Sequence, residues 1–335
     1  MPVFSILIPF YNTEPEYYSK TFTCLKRLPE ETAEILVIDD GSEAASYQGL
    51  KEYLKRELPS AKLFRKDNGG QNSARQFGID RAIGNYVLFL DSDDYLDCNA
   101  LLKLAEYLSE QKPDVVAFNY DIVTPEGELL EVCDVWEDGF NEMSLQRLSL
   151  ASDSLCRQCY CLQRLKELPF GLVQDVRIGE DLASSLSLNL SLHERVSFGG
   201  VLYHYVKRST SIIHNTPREA VCDVLRAFDE VVRRCGPGYA NCYTEVEWMA
   251  VLHCVGWNSL RLLRGGVGPK EGKCLTFRWM KERFPHWKRN PYIGKSSASK
   301  GIWFRLSVKG YWGILCCFVR LWDGVKKIVG KGARW

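Results

Sequence analysis

Tyr86-Val87-Leu88-Phe89-Leu90-Asp91-Ser92-Asp93-Asp94 is an apolar run that ends in three carboxylates within four positions. A short apolar run bounded by polar residues reads as a buried strand, and the acidic tetrapeptide falls where that strand leaves its sheet. Side chains alternate across a strand, so Asp91 and Asp93 share one side and Ser92 takes the other. Carboxylates packed this closely resist joint ionisation. A divalent cation removes the conflict, and hard oxygen ligands favour Mg²⁺ or Mn²⁺. The same four residues also fit a solvated acidic turn that caps a helix starting near Asn99.

Working outward, apolar or β-branched runs recur at Val3–Ile8, Glu34–Ile38, Ala61–Phe64 and Val115–Phe118, with helical spacing between them at Tyr17–Arg27, Tyr47–Glu57, Gln71–Ile83 and Asn99–Glu110. Regular alternation of strand and helix predicts an α/β domain with a parallel sheet and crossover helices. Ligands of such sheets bind beyond the carboxyl ends of the strands. The residues that follow the strands here are Pro9-Phe10-Tyr11-Asn12, Asp39-Asp40-Gly41-Ser42, Asp67-Asn68-Gly69-Gly70 and Asp91-Ser92-Asp93-Asp94. A dinucleotide fingerprint would need glycines after the first strand, and Pro9–Asn12 has none; a Walker A loop is absent too.

Together, Phe4–Asn12, Ile38–Ser42, Asn68–Arg75 and Leu90–Asp94 closely resemble, in order and spacing, the family 2 glycosyltransferases of the bacterial cell-surface polysaccharide type, over roughly residues 3–215. The resemblance implies a Rossmann-like GT-A fold with a mixed, mainly parallel sheet, a nucleotide-sugar donor (a UDP-sugar), and inversion at the anomeric carbon. The chain then divides into a GT-A domain at 1–215, a helical extension at 216–300 and a basic amphipathic tail at 301–335.

The resemblance also assigns roles. Asp93 holds the metal with help from Asp91 or Asp94, and Asp91 faces the ribose. Pro9 and Tyr11 belong to the donor pocket, Tyr11 stacking on a pyrimidine, and Asp40 accepts from the uracil imide. Asp39 is either a second ligand of the base or a structural cap. Arg75 contacts the nucleotide or its phosphates, or makes a surface salt bridge. Gly179-Glu180-Asp181 opens the helical stretch Leu182–Leu190. Asp181 is the expected general base and Glu180 the next choice, although acidic residues also favour first turns as plain caps. In Tyr203–Ser211, His204, Arg208 and Ser211 are placed to close over the diphosphate, with packing the alternative for His204.

One departure concerns the acceptor. Many relatives carry an aromatic residue and a lysine between the metal motif and the base, where this chain reads Leu155-Cys156-Arg157-Gln158-Cys159-Tyr160-Cys161. A single C-x-x-C-x-C lacks a second ligand pair for zinc, so small buried packing residues are the expectation.

Net charge is +1, but from Arg261 onward there are 18 Lys and Arg against 3 Asp and Glu. The acidic remainder is no nucleic-acid surface, and the basic end predicts an anionic partner. After the break at Gly265–Pro269, aromatic and basic residues interleave from Gly301. On a helix from Ile314, one face carries Leu315, Phe318, Trp322, Val325 and Val329, and the other Arg320, Lys327 and Lys331. The longest charge-free apolar stretch, Gly310–Val319, is far below the ~20 residues that span a bilayer. An interfacial helix on an anionic membrane is expected, or an amphipathic helix packed on the enzyme itself. No signal peptide is visible, and 13 cysteines without a framework fit a reduced compartment. The expected setting is the inner face of the cell membrane, with a glycan or lipid-linked acceptor. A nucleotidyltransferase and a catalytically silent sugar-nucleotide scaffold are the competing readings.

Overall fold

The computed structural model describes residues 1–151, 153–208, 222–234, 237–295 and 301–329. It contains two compact units, Met1–Asp175 with Glu180–Ser211, and Val176–Gly179 with Ile212–Trp335.

The first unit is built on a mixed sheet. Its strands are β1 (Phe4–Phe10), β2 (Ala33–Asp39), β3 (Lys62–Arg65), β4 (Tyr86–Phe89), β5 (Tyr95–Leu96), β6 (Val115–Val123), β7 (Leu129–Cys133), β8 (Phe140–Glu142), β9 (Gln158–Cys161) and β10 (Arg195–Val206). The order is β3-β2-β1-β4-β9-β6-β10-β5, with β7 beside β6 and β8 beside β10. β1 pairs in parallel with both β2 and β4, β2 with β3, and β6 with β10. β9 runs antiparallel between β4 and β6. β1, β2, β3, β4, β6 and β10 therefore all point the same way, and their carboxyl ends share one edge.

Every residue of β1 and β4 is buried, as expected where helices cover both faces of a parallel sheet. The helices are α1 (Pro15–Leu25), α2 (Ala44–Glu57), α3 (Gln71–Ile79), α4 (Cys98–Glu110), α5 (Leu145–Leu150), α6 (Leu162–Glu167) and α7 (Glu180–Ser191). Pro15 sits in the first turn of α1, where a missing N–H costs nothing. Asp97 caps α4 by accepting from the Ala100 N–H at 2.7 Å. α7 is buried along Leu182–Leu190, and its polar first turn, Glu180 and Asp181, is partly exposed.

β9 is the main difference from the sequence expectation. The segment Gln158–Cys161 is a strand of the sheet centre, and Cys156 and Cys159 are buried there. Among the described residues no cluster of three or more His, Cys, Asp or Glu is placed to hold a metal ion.

The second unit is helical: α8 (Asp223–Arg234), α9 (Pro237–Asn241), α10 (Tyr243–Ala250), a π-helical turn (Val251–Trp257), α11 (Asn258–Arg264), α12 (Pro269–Arg283), α13 (Ile302–Lys309) and α14 (Trp312–Val329). Its core includes residues expected at a lipid surface. Trp303, Phe304, Trp312, Leu315 and Val319 are buried. Trp312 Nε1 donates to the Ser307 carbonyl at 3.0 Å, and the Ser259 and Ser307 hydroxyls meet at 2.7 Å. The face of α14 assigned to a membrane from sequence is thus, at Leu315, the face packed on the protein. Its exposed apolar stripe is offset, through Ile314 and Leu321. The side chains of Val325, Lys327 and Val329, and residue Lys331, lie outside the described set. No described helix is long and apolar enough to cross a membrane.

Candidate functional site

The site is assembled along the shared carboxyl edge, beginning at β1 and β2. Pro9 is buried in β1 opposite Ile38 of β2, beyond Leu7, the last β1 residue paired with β4. Proline has no N–H to give a ladder, so it suits the point where β4 has already peeled away. Asn12, at φ 48°, accepts through Oδ1 from the Glu43 N–H at 2.9 Å, and its own N–H donates to Ser42 Oγ at 2.9 Å. These two bonds lock the turn after β1 to the turn after β2. Tyr11 projects from the locked turn with its side chain 55% exposed.

Asp39 and Asp40 are both buried but differ in task. Asp40 accepts from Lys66 Nζ at 2.7 Å and from the N–H groups of Gly69 and Gly70 at 3.0 and 2.8 Å. Its carboxylate therefore organises the Asp67–Gly70 loop, where the sequence suggested the base acceptor. Gly70 takes φ 88° at the head of α3 and Gly41 takes φ 78°; a Cβ on Gly41 would lie 2.8 Å from the Asn68 amide nitrogen. Asp39 Oδ1 accepts from the Ser42 N–H at 3.2 Å, as a cap would. Its Oδ2 lies 3.2 Å from Arg65 Nε yet has no hydrogen-bond partner.

The four residues after β4 separate sharply. The Thr21 hydroxyl, buried on α1, donates to the carbonyls of Ser92 and Asp94, and Thr13 Oγ1 meets Ser92 Oγ at 2.6 Å. Those bonds fix the backbone of the acidic loop. Asp94 is buried, accepting from the Tyr203 hydroxyl at 2.5 Å and the Val206 N–H at 2.8 Å. Burial, then the charge of Asp91, pushes its carboxyl well above the usual range. Asp94 ties the loop to β10 through both of its carboxylate oxygens. Asp93 and Asp91 stay partly exposed. Asp93 Oδ2 takes a hydrogen bond from Arg208 Nη2, and the Arg208 guanidinium lies 4.6 Å from the Tyr17 ring centroid. Asp91 Oδ1 accepts from Gln71 Nε2 at 2.6 Å and from Arg75 Nη2 at 2.7 Å.

Arg75 is the centre of the arrangement. It is fully buried, and its fork reaches Asp91 on one side and Asp181 Oδ1 on the other, with Asn72 Oδ1 at 2.9 Å and Cys156 Sγ at 3.4 Å. Burial opposes its charge, but Asp181 and Asp91 outweigh that and hold its pKa well above the ordinary value. In place of the surface salt bridge that the sequence offered as an alternative, Arg75 forms an internal bridge between Asp91 and Asp181. Asn72 Nδ2 extends the network to the Val173 carbonyl and Ser184 Oγ on α7.

Asp181 and Glu180 form the first turn of α7, where the helix dipole favours negative charge. Burial raises the Asp181 carboxyl, Arg75 opposing and Asp91 adding to the effect. Burial and the neighbouring Asp181 push Glu180 up to about 7. His204 is not turned toward this network. Its Nδ1 lies 2.6 Å from Asp121 Oδ1 and its ring stacks on Tyr95 at 4.5 Å, in keeping with the packing alternative. Ser211 lies outside the described residues.

Sequence reasoning did not single out Thr21, Gln71, Asn72 or Tyr203. Gln71 and Asn72 fall inside the Asn68–Arg75 motif, and Thr21 interrupts the buried stripe of Tyr18, Phe22 and Leu25 on α1, a polar residue in an apolar face.

The fold, with its shared carboxyl edge, is that of a GT-A domain. Residues 5–164 match the family model "Glycosyl transferase family 2". Among curated relatives, "Uncharacterized glycosyltransferase EpsJ" of Bacillus subtilis is 32% identical over 120 residues, which is 36% of this chain and 34% of that protein. "Poly(ribitol-phosphate) beta-N-acetylglucosaminyltransferase TarS" of Staphylococcus aureus is 30% identical over 118 residues, 35% of this chain and 20% of that protein. Matches to these two relatives thus span about a third and a fifth of their own length. The crystal structure of S. aureus TarS 1-349 with UDP superposes at a TM-score of 0.71 with 17% identity, covering 96% of this chain and 92% of that one. The same protein with UDP-GlcNAc gives 0.64, with 19% identity and 96% and 88% coverage. Mannosyltransferase PcManGT from Pyrobaculum calidifontis, in complex with GDP-Man and Mn²⁺, gives 0.52 at 13% identity, with 96% and 88% coverage. Residues 5–164, just under half of the chain, are thus similar to the family 2 glycosyltransferases.

Proposed function

We propose that this chain transfers a sugar from a UDP-sugar to a glycan or lipid-linked acceptor, with inversion and with a divalent metal, in building a cell-surface polysaccharide. The observation that carries the reading is the Arg75 bridge. One buried guanidinium joins Asp91 after β4 to Asp181 at the head of α7, so the donor motif and the candidate base are held in one rigid network.

Asp93, helped by Asp91, would hold Mn²⁺ or Mg²⁺. Asp91 Oδ2 and Asp93 Oδ1 make no hydrogen bond among the described residues, and two carboxylates suit a cation whose shell is completed by diphosphate and water. Bound there, the cation supplies Lewis-acid stabilisation of the leaving diphosphate. Arg208 adds positive charge beside Asp93. Tyr11 offers an exposed ring for the base, and Asp39 Oδ2, which lies beside Arg65 but accepts no hydrogen bond, is better suited than Asp40 to accept an imide N–H. Asp181 takes the proton of the attacking hydroxyl, and a single displacement by that hydroxyl inverts the anomeric centre. Uridine is supported by the UDP and UDP-GlcNAc in the TarS structures of the same fold, and metal use by the Mn²⁺ in that of PcManGT.

Peripheral attachment to an anionic membrane at the cytoplasmic face belongs to the same reading. It rests on the offset stripe of Ile314 and Leu321, with Arg320 adjacent in the chain, and on the basic excess from Arg261 onward. Screening UDP-, GDP- and dTDP-sugars for nucleotide release in Mn²⁺ tests the central reaction. Release of UDP from at least one donor is expected, and no release from any of them overturns it.

A further inference from the structure

Along the carboxyl edge, the donor motifs follow β1, β2 and β4, and the sheet then continues through β9 to β6. At the β9 and β6 end lies a cavity of about 200 Å³ that the donor motifs do not use, its walls including Tyr120, Trp136, Ala151, Asp153, Arg157 and Gln158. β9 runs antiparallel to its neighbours, so the residues just before Gln158 sit at the same edge as Asp91. The turn Leu155–Arg157 presents Cys156 to Arg75 and, one residue later, presents Arg157 to the cavity. The cavity is therefore one residue along the chain from the bridge that holds Asp181.

Its chemistry is that of a carbohydrate subsite. The Arg157 guanidinium lies 3.9 Å from the Tyr120 ring centroid and pairs with Asp153 at 2.6 Å. Trp136 is held against β6 by Asn119, whose Oδ1 accepts from the Trp136 N–H and whose Nδ2 donates to the Trp136 carbonyl. Aromatic rings give the C–H face of a sugar an apolar wall, and an Arg–Asp pair offers both donors and acceptors to adjacent hydroxyls. Because Asp153 neutralises Arg157, a phosphate is the poorer occupant. The volume falls below the roughly 300–1,000 Å³ of drug-sized sites, on the scale of one sugar ring.

We infer that the Tyr120–Trp136–Asp153–Arg157 cavity binds a single pyranose residue of the acceptor glycan. This rests on the transferase reading above, and the test separates the two. Wild-type protein with Mn²⁺ and UDP is titrated with the methyl pyranosides of glucose, galactose and N-acetylglucosamine, followed by saturation-transfer NMR. At least one glycoside should receive saturation. Ala151→Phe, which fills the cavity, and Arg157→Lys, which loses the planar fork, should each weaken that glycoside about tenfold or more while UDP affinity stays within about twofold. Retained UDP affinity also reports that the variants are folded. Unchanged glycoside binding in both variants, or no saturation of any glycoside by a wild type that binds UDP, overturns the subsite alone. A wild type that binds no UDP removes the transferase reading and the subsite with it.

Discussion

The β3-β2-β1-β4 half of the sheet and the β9-β6-β10 half meet at the same carboxyl edge, but they are assembled differently. In the first half each strand carries its own chemistry in the next few residues, and the bonds are local in pattern: Asn12 to Ser42 and Glu43, Asp40 to Gly69 and Gly70. In the second half the decisive bonds join residues about a hundred positions apart, Arg75 to Asp181 and Asp94 to Tyr203 and Val206. The donor half is a set of strand-and-turn units set side by side. The other half is a network that exists only once α7 and β10 have closed over the acidic loop.

Cutting the network at its centre should have the largest effect. Arg75→Ala leaves Asp91 and Asp181 without their buried partner, and removing one member of a buried ion pair costs on the order of 3–5 kcal/mol. Thermal unfolding of the full chain should shift down by on the order of 10 °C, with loss of turnover. An unchanged midpoint would mean that the two halves are not joined through this residue.

Asp181→Asn should separate chemistry from donor binding. UDP affinity should stay near wild type, while turnover of the donor used by the wild type falls by ~10²–10⁴. Single-turnover kinetics and UDP titration read the two quantities independently, and full turnover would move the base to Glu180 or elsewhere.

A smaller effect concerns pH. Burial and Asp181 hold the Glu180 carboxyl at about 7 in the folded protein. Between the ordinary glutamate value and about 7 the folded chain keeps a proton that the unfolded chain has lost. That contribution to stability is complete at low pH and disappears as pH rises through this window. Glu180→Gln should flatten this part of the dependence of unfolding temperature on pH; identical slopes in both proteins would contradict the assignment.

The same division explains what was legible in the sequence. Runs such as Phe4–Phe10 and Tyr86–Phe89 announce themselves because both faces are buried, and the turns that follow them keep their motif within a few residues. β9 is four residues long, with glutamine and two cysteines, and its place between β4 and β6 depends on tertiary pairing that no local pattern encodes. Asp93 and Asp94 are neighbours of identical composition, and only the arrival of Tyr203 and Val206 buries one and leaves the other beside Arg208. Arg75 looked like a surface or phosphate residue because its two carboxylate partners are far away in sequence. The aromatics of α13 and α14 looked interfacial for a related reason: Trp303, Phe304 and Trp312 fill the core of their own helical unit.

The contrast between Asp93 and Asp94 is also the most direct test. UDP is titrated calorimetrically into wild type, Asp93→Asn and Asp94→Asn, each with and without Mn²⁺. Wild type should bind more tightly with Mn²⁺ by about tenfold or more, since the cation neutralises diphosphate charge. Asp93→Asn should lose that increment with little change in unfolding temperature. Asp94→Asn should unfold earlier yet keep the increment while folded. An Asp93→Asn protein that retains the whole Mn²⁺ effect would contradict the assignment of the metal to the end of β4.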